Sequence, residues 1–197
     1  MALNPEKLGM LADFKLDSGK HINLKEGACV MEMVSYLADE PWSDHPPCAC
    51  PILTGYAIAL NDHFNDEHRQ RLKEFIPLLV GTRMTDEVQI ARKRLIRWRH
   101  VTATYPIILE TLNLNDLAEC LRKFQNTLES MAQAKVFIET YSEFPSMTWK
   151  ANAYAYAYAD TYADDALYAY AHGYTDGLHI KLADVALQTL RLAIEVR

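Results

Sequence analysis

The chain has no long apolar run and little glycine, and these absences exclude several classes of protein. Half of its 197 residues are hydrophobic and only seven are glycine. No stretch reaches the ~18 consecutive apolar residues that a membrane-spanning helix requires. The first seven residues also lack the basic-then-apolar order of a signal peptide. We therefore expect a cytoplasmic protein without a membrane partner.

The common catalytic and phosphate-binding signatures are missing as well. The sequence contains no glycine-rich phosphate loop, no His-Glu-x-x-His helix and no Gly-x-Ser-x-Gly turn. Its net charge of −6 disfavours general affinity for nucleic acids, so we expect no nucleic-acid partner. In a cytoplasmic chain, four cysteines indicate thiols or metal ligands rather than a disulfide framework.

Helical periodicity dominates what is present. Apolar residues recur every three to four positions in several segments, which is typical of amphipathic helices, and prolines and glycines separate these segments. We predict one mainly α-helical domain over residues 1–197, folded as an irregular bundle of several helices. Only residues 13–25 alternate apolar and polar side chains around a Ser-Gly turn, and there we predict a small β-hairpin.

Proline and capping residues predict where the helices begin and end. Pro51 is suited to the first turn of a helix, whereas Pro77 and Pro106 should kink or interrupt the helices that contain them. One long helix is predicted from residue 113 or 115 to about residue 141. A final helix is predicted over residues 178–196.

Unusual residues are concentrated between residues 26 and 51, where a helix is followed by a proline-rich loop over residues 40–51. Three of the four cysteines lie here, with a histidine and a tryptophan. Cys29, His45, Cys48 and Cys50 supply the ligand types of a tetrahedral zinc site. The Cys-x-Cys spacing is tighter than the usual paired motif, so buried apolar thiols are the alternative.

A catalytic interpretation uses some of the same residues. Cys29, near a helix N-terminus, would have a lowered pKa, and His45, oriented by Asp44, would act as its base. Glu32 would add a carboxylate for acid–base chemistry. The alternative places Cys29 on a buried helix stripe and Glu32 on a solvated face. The sequence favours a protein without enzymatic activity and leaves a cysteine- or zinc-dependent enzyme as the alternative.

A basic segment over residues 92–100 interrupts this acidic chain. Its cations could hold a phosphate-bearing ligand. The charges are scattered around the helix, which favours a solvated helix whose arginines pair with acidic flanking residues. The residues predicted to contact such a ligand are Arg83, Arg92, Lys93, Arg97 and His100.

Alanine and tyrosine alternate through residues 151–171. A period of two is typical of a strand, but the high helix propensity of alanine and the length of the run predict a helix over residues 150–172. Tyrosine on two faces of such a helix indicates contact with a protein partner, a second copy of the chain, or both; a buried core helix is the alternative. The predicted interface residues are Tyr154, Tyr156, Tyr158, Tyr162, Tyr168 and Tyr170.

Three segments carry a resemblance to a protein family. The run GACVMEMVSYLADEPWSDHPPCACP at residues 27–51, the run IPLLVGTR at residues 76–83 and the Ala/Tyr-rich tract resemble those of uncharacterised proteins from bacteria and their phages. The resemblance implies that the loop over residues 40–51 and the turn at Arg83 lie together, but it implies no activity. It also implies a phage or mobile-element origin. On this basis we expect a helical binding protein that modulates a host protein in the host cytoplasm.

Overall fold

A computed structural model describes residues 5–111, 113–141 and 176–197 of the protein. Within these ranges the chain is helical and contains no β-strand, which confirms the predicted mainly α-helical fold. A 3₁₀-helix spans Arg71–Phe75 and a π-helix spans His100–Thr104. The α-helices are α1 (Pro5–Met10), α2 (Val30–Leu37), α3 (Pro51–His63), α4 (Asp66–Gln70), α5 (Ile76–Leu79), α6 (Asp86–Arg99), α7 (Tyr105–Thr111), α8 (Asn115–Arg122), α9 (Leu128–Tyr141) and α10 (Asp176–Glu195).

The predicted β-hairpin over residues 13–25 is wrong, because this segment forms turns and irregular backbone. Its backbone polar groups bond to side chains of neighbouring helices instead of to a second strand. Leu16 N–H donates to Gln70 Oε1 and Gln70 Nε2 donates to Leu16 O, both at 2.9 Å. Gly19 N–H donates to Asp62 Oδ1 at 2.8 Å. These side chains supply the hydrogen-bond partners that the second strand of a hairpin would have supplied.

Helix α2 lies at the centre of the larger hydrophobic core. All of its residues except Tyr36 are buried, and it packs against α3 and α5. A helix that is buried on every side must also satisfy its polar side chains internally. Ser35 does so by donating to Glu32 O at 2.8 Å and accepting from Ser43 N–H at 3.2 Å. The helix ends at Leu37.

Two prolines act differently on the helices that contain them. The segment from residue 66 to 79 is divided into α4, the 3₁₀-helix and α5, and Pro77 lies in the first turn of α5. This division agrees with the prediction that Pro77 interrupts its helix. Pro106 does not interrupt its helix as predicted; it lies in the first turn of α7, two residues after the π-helix ends. The π-helix joins α6 to α7 through a bond from Tyr105 N–H to His100 O.

The C-terminal part of the bundle contains a second, smaller core. The single helix predicted up to residue 141 is in fact two, α8 and α9, separated by residues 123–127. The buried residues of this core are Val101, Tyr105, Leu109, Ala118, Leu121 and Ala134. Trp98 Nε1 donates to Phe124 O at 2.7 Å and so joins α6 to the α8–α9 connection. Helix α10 packs against α6, α3 and the π-helix and closes the bundle.

Two further sequence predictions concern the Ala/Tyr-rich helix and membrane-spanning segments. The predicted Ala/Tyr-rich helix over residues 150–172 and its six interface tyrosines lie outside the described residues. Among the helices that the structure does describe, none is both long and apolar enough to cross a membrane.

Candidate functional site

Helix α2 begins with a capping box formed by Cys29 and Glu32. Glu32 N–H donates to Cys29 Sγ at 3.4 Å, and Cys29 N–H donates to Glu32 Oε2 at 2.8 Å. The reciprocal pair satisfies two of the N–H groups that every helix start leaves unpaired. Cys29 therefore occupies the position that serine or threonine usually fills.

Glu32 is the centre of this site and is fully buried, so its predicted place on a solvated helix face is wrong. Besides Cys29 N–H, its carboxylate accepts His21 N–H at 2.7 Å and His21 Nδ1–H at 3.0 Å. Because an ionised carboxylate can only accept hydrogen bonds, Glu32 fixes the proton of the imidazole on Nδ1. One side chain thus joins the start of α2 to the loop over residues 17–27.

His21 is held further by Trp42, which bonds to its backbone, and by Gly27, which lies against its ring. Trp42 Nε1 donates to His21 O at 2.9 Å. Gly27 has a φ of +137°, and a Cβ on it would lie 2.7 Å from His21 Cδ2, so only glycine fits against the ring. His21 Nε2 points towards the exposed carboxylate of Asp17, 3.9 Å away. The imidazole is therefore locked in a single orientation.

The proline-rich loop docks against the turn that contains Arg83. Arg83 N–H donates to Cys48 O at 2.9 Å, and Cys50 N–H donates to Thr82 Oγ1 at 3.0 Å. Cys48 N–H also donates to Glu40 Oε2 at 3.3 Å. The loop and the turn lie together, as the sequence resemblance implied, and ordinary hydrogen bonds hold them there.

The four predicted zinc ligands are not brought together. Among the described residues no group of three or more His, Cys, Asp or Glu side chains could hold a metal ion. Cys29 caps α2, Cys50 is fully buried at the start of α3, and Cys48 is half-buried beside Glu40. The His45 side chain is 69% exposed and pairs with Asp44 at 3.0 Å. Hydrogen bonds to Thr82 and Arg83 hold this loop in place.

The predicted nucleophile and base are also apart. Cys29 is 2% exposed and bonds to Glu32, whereas His45 faces solvent, and no hydrogen bond joins the two. The pKa of Cys29 was predicted to be low because of the helix N-terminus. Instead burial, followed by the nearby Glu32 charge, raises the pKa of Cys29 to about 12. The thiol stays protonated and unreactive at neutral pH.

This arrangement predicts an order of thiol reactivity. Cys120 is exposed and should react first with an alkylating reagent, and half-buried Cys48, whose pKa burial raises, should follow slowly. Cys29 should hold about a thousand-fold less thiolate than an ordinary cysteine and should be labelled, with buried Cys50, only after unfolding. Mass spectrometry of labelled peptides measures this order, with denatured protein as the control. Rapid labelling of Cys29 in folded protein would contradict the buried capping role.

The predicted phosphate-binding residues do not form one surface. Arg83 is exposed, whereas Arg92 and His100 are buried, at 0% and 5% exposure. The alternative, in which the arginines of α6 pair with acidic residues, also fails in part. Arg92 donates to the carbonyls of Thr82 and Val196, at 2.6 and 3.0 Å, and not to a carboxylate. Some basic side chains of residues 92–100 are therefore buried, and others lie at the surface.

Sequence reasoning missed the role of His21 and the burial of Glu32. The spacing of Cys29 and Glu32 matches a capping box, and that signal could have identified Glu32 as a structural acceptor. No local pattern marks His21, because its contact with Glu32 depends on the fold of the loop between them. Comparison with known proteins adds no further residues: no protein-family model, curated protein or solved structure matches the chain.

Proposed function

We propose that the protein is a non-enzymatic binding protein that associates with itself through the Ala/Tyr-rich tract at residues 151–171. One observation carries the proposal: the groups in residues 26–51 that could perform chemistry are used to hold the fold. Glu32 accepts three hydrogen bonds, and burial keeps the Cys29 thiol protonated. Because both the acid and the thiol are buried and hydrogen-bonded to neighbouring residues, the site supports a role in binding rather than in catalysis.

Composition supports self-association as the form of that binding. Six of the eleven tyrosines of the chain lie in residues 151–171. Tyrosine gives a large contact area at a low cost in side-chain entropy, and it is enriched among the residues that dominate interface energy. The alanines between the tyrosines are small enough for two chains to approach closely. The resemblance to bacterial and phage proteins supports a host protein as a further partner.

Sedimentation velocity over a range of concentrations tests the self-association. The wild-type protein should show a sedimentation coefficient that rises with concentration, since a second copy is the partner. Replacing Tyr154, Tyr158 and Tyr162 with serine should give a monomer, because the aromatic contact area is lost. The matched control replaces the same three residues with phenylalanine, which keeps that area, and should still associate. A wild-type monomer at the highest concentration would contradict the proposal.

A further inference from the structure

His21 presents its second ring nitrogen to the exposed carboxylate of Asp17. Glu32 fixes the ring proton on Nδ1, so Nε2 carries a lone pair and can accept a hydrogen bond or bind a cation. Asp17 Oδ2 lies 3.9 Å from this nitrogen, and the Asp17 side chain is 63% exposed. The distance is too long for a hydrogen bond, and an ionised carboxylate has no proton to donate. Two acceptors therefore face each other, and the position between them favours a positive ion.

The backbone that carries this pair is firmly anchored in the core. Asp17 N–H donates to Ala28 O at 3.0 Å, and Asn61 Nδ2 donates to Asp17 O at 2.9 Å. Both Ala28 and Asn61 are fully buried. The imidazole of His21 is locked by its bond to Glu32. The Asp17 side chain is thus the adjustable part of a pair whose supports are rigid.

The bond from His21 to Glu32 is the arrangement typical of a histidine that binds a metal. A metal-binding histidine usually donates its other ring N–H to a carboxylate, which fixes the tautomer and makes the imidazole a stronger ligand. We propose that His21 Nε2 and Asp17 Oδ2 bind a divalent transition-metal ion at the surface of the protein. Imidazole nitrogen and carboxylate oxygen are both ligands that such ions accept. Because no group of three such side chains converges among the described residues, water completes the coordination.

The separation of the two atoms suits one ion that contacts both. Metal–nitrogen and metal–oxygen bonds are each about 2.1 Å long, so one ion can contact atoms up to ~4.2 Å apart, and tetrahedral ligands lie ~3.4 Å apart. Closing the gap from 3.9 Å to that value needs a movement of ~0.5 Å by the exposed Asp17 side chain. A proton on Nε2 is the competing occupant of the same position, and the experiment separates the two cases.

Titration with cobalt(II), followed by nuclear magnetic resonance of the histidine rings, tests the site in the intact chain. Cobalt(II) is paramagnetic, so it should broaden the His21 signals before those of the other histidines. Magnesium at the same concentration should leave His21 unchanged, because magnesium prefers a shell of oxygen ligands. No broadening of His21 by cobalt would overturn the proposal and leave the proton as the occupant. An equal response to magnesium would also overturn it, since charge attraction alone would then suffice.

Substitutions locate the ion. Asp17→Asn should weaken cobalt binding at His21 by about ten-fold or more, at least the loss seen for outer-shell partners, while the backbone bonds of residue 17 remain. Glu26→Gln removes an exposed carboxylate from the same loop and should bind cobalt as the wild type does. His45→Ala removes an exposed histidine that pairs with Asp44, and it should also leave His21 binding unchanged.

Circular dichroism checks that each variant keeps its helical content. Binding that survives Asp17→Asn but is lost in His45→Ala would place the ion at the His45–Asp44 pair and would refute the site at His21. This inference goes beyond self-association, and none of its outcomes depends on residues 151–171.

Discussion

Replacing Glu32 with glutamine is expected to lower the free energy of unfolding by about 3 kcal/mol, since each buried donor that loses its acceptor costs about 1–3 kcal/mol. Glutamine has the same shape, but its amide NH₂ cannot accept a hydrogen bond. Three donors, two on His21 and one on Cys29, converge on the carboxylate, so at least one of them would lose its acceptor. Urea unfolding at neutral pH measures the change.

Glu26→Gln is the matched control for that substitution. Glu26 is exposed, and its carboxylate accepts a 3.3 Å bond from Asn23 Nδ2 as its one side-chain partner among the described residues, so the change should alter stability by no more than about 0.5 kcal/mol. A cost below about 1 kcal/mol for Glu32→Gln would show that the carboxylate does not organise the site. The same variant should also make Cys29 easier to label in folded protein, because the capping box would be broken.

Replacing Arg92 with alanine should cost a similar amount, about 3–5 kcal/mol. The side chain is fully buried and joins the turn at Thr82 to Val196, which follows α10, through two charged hydrogen bonds. Its loss leaves two carbonyls without this donor, together with a cavity. Because Thr82 also accepts Cys50 N–H, the loss should loosen the proline-rich loop, measured as faster labelling of Cys50.

Arg94→Ala, two positions further along α6, provides the control for Arg92. Arg94 is half-buried and forms no ion pair among the described residues, so its loss should cost about 1 kcal/mol or less. Arg92→Lys should give an intermediate result, since one ammonium group cannot reproduce the fork that reaches both carbonyls. Equal effects of Arg92→Ala and Arg94→Ala would contradict the bridging role and would indicate a general charge effect.

Much of the helical framework could be predicted because it depends on local patterns. Pro51 begins α3, as its position in the sequence predicted. Asn65, a residue type that favours helix N-termini, caps α4 by accepting His68 N–H at 2.9 Å. The secondary-structure predictions were wrong where contacts between distant segments determined the backbone conformation. Residues 13–25 have the alternation of a hairpin, but side chains from α3 and α4 satisfy their backbone. Pro106 is tolerated because a π-helix brings it into the first turn of α7.

The same difference between local patterns and tertiary contacts explains why the predicted zinc and thiol sites did not form. Ligand types in residues 26–51 indicated zinc or a reactive thiol, since a sequence gives the identity of side chains but not their separation. The fold places His45 in solvent and Cys29 in the core, while it brings His21 against a buried Glu32. Burial then reverses the expected direction of the Cys29 pKa. Chemical identity alone could not predict this environment.

The sequence by itself determined the helical class and the places where several helices begin. These properties follow from hydrophobic period, capping and the geometry of proline, all of which act over a few residues. Only the tertiary structure decided that Glu32 is buried against His21 and that buried Arg92 joins Thr82 to Val196. Such pairings join segments far apart in the chain, and their energies depend on desolvation, which exists only once the core has closed.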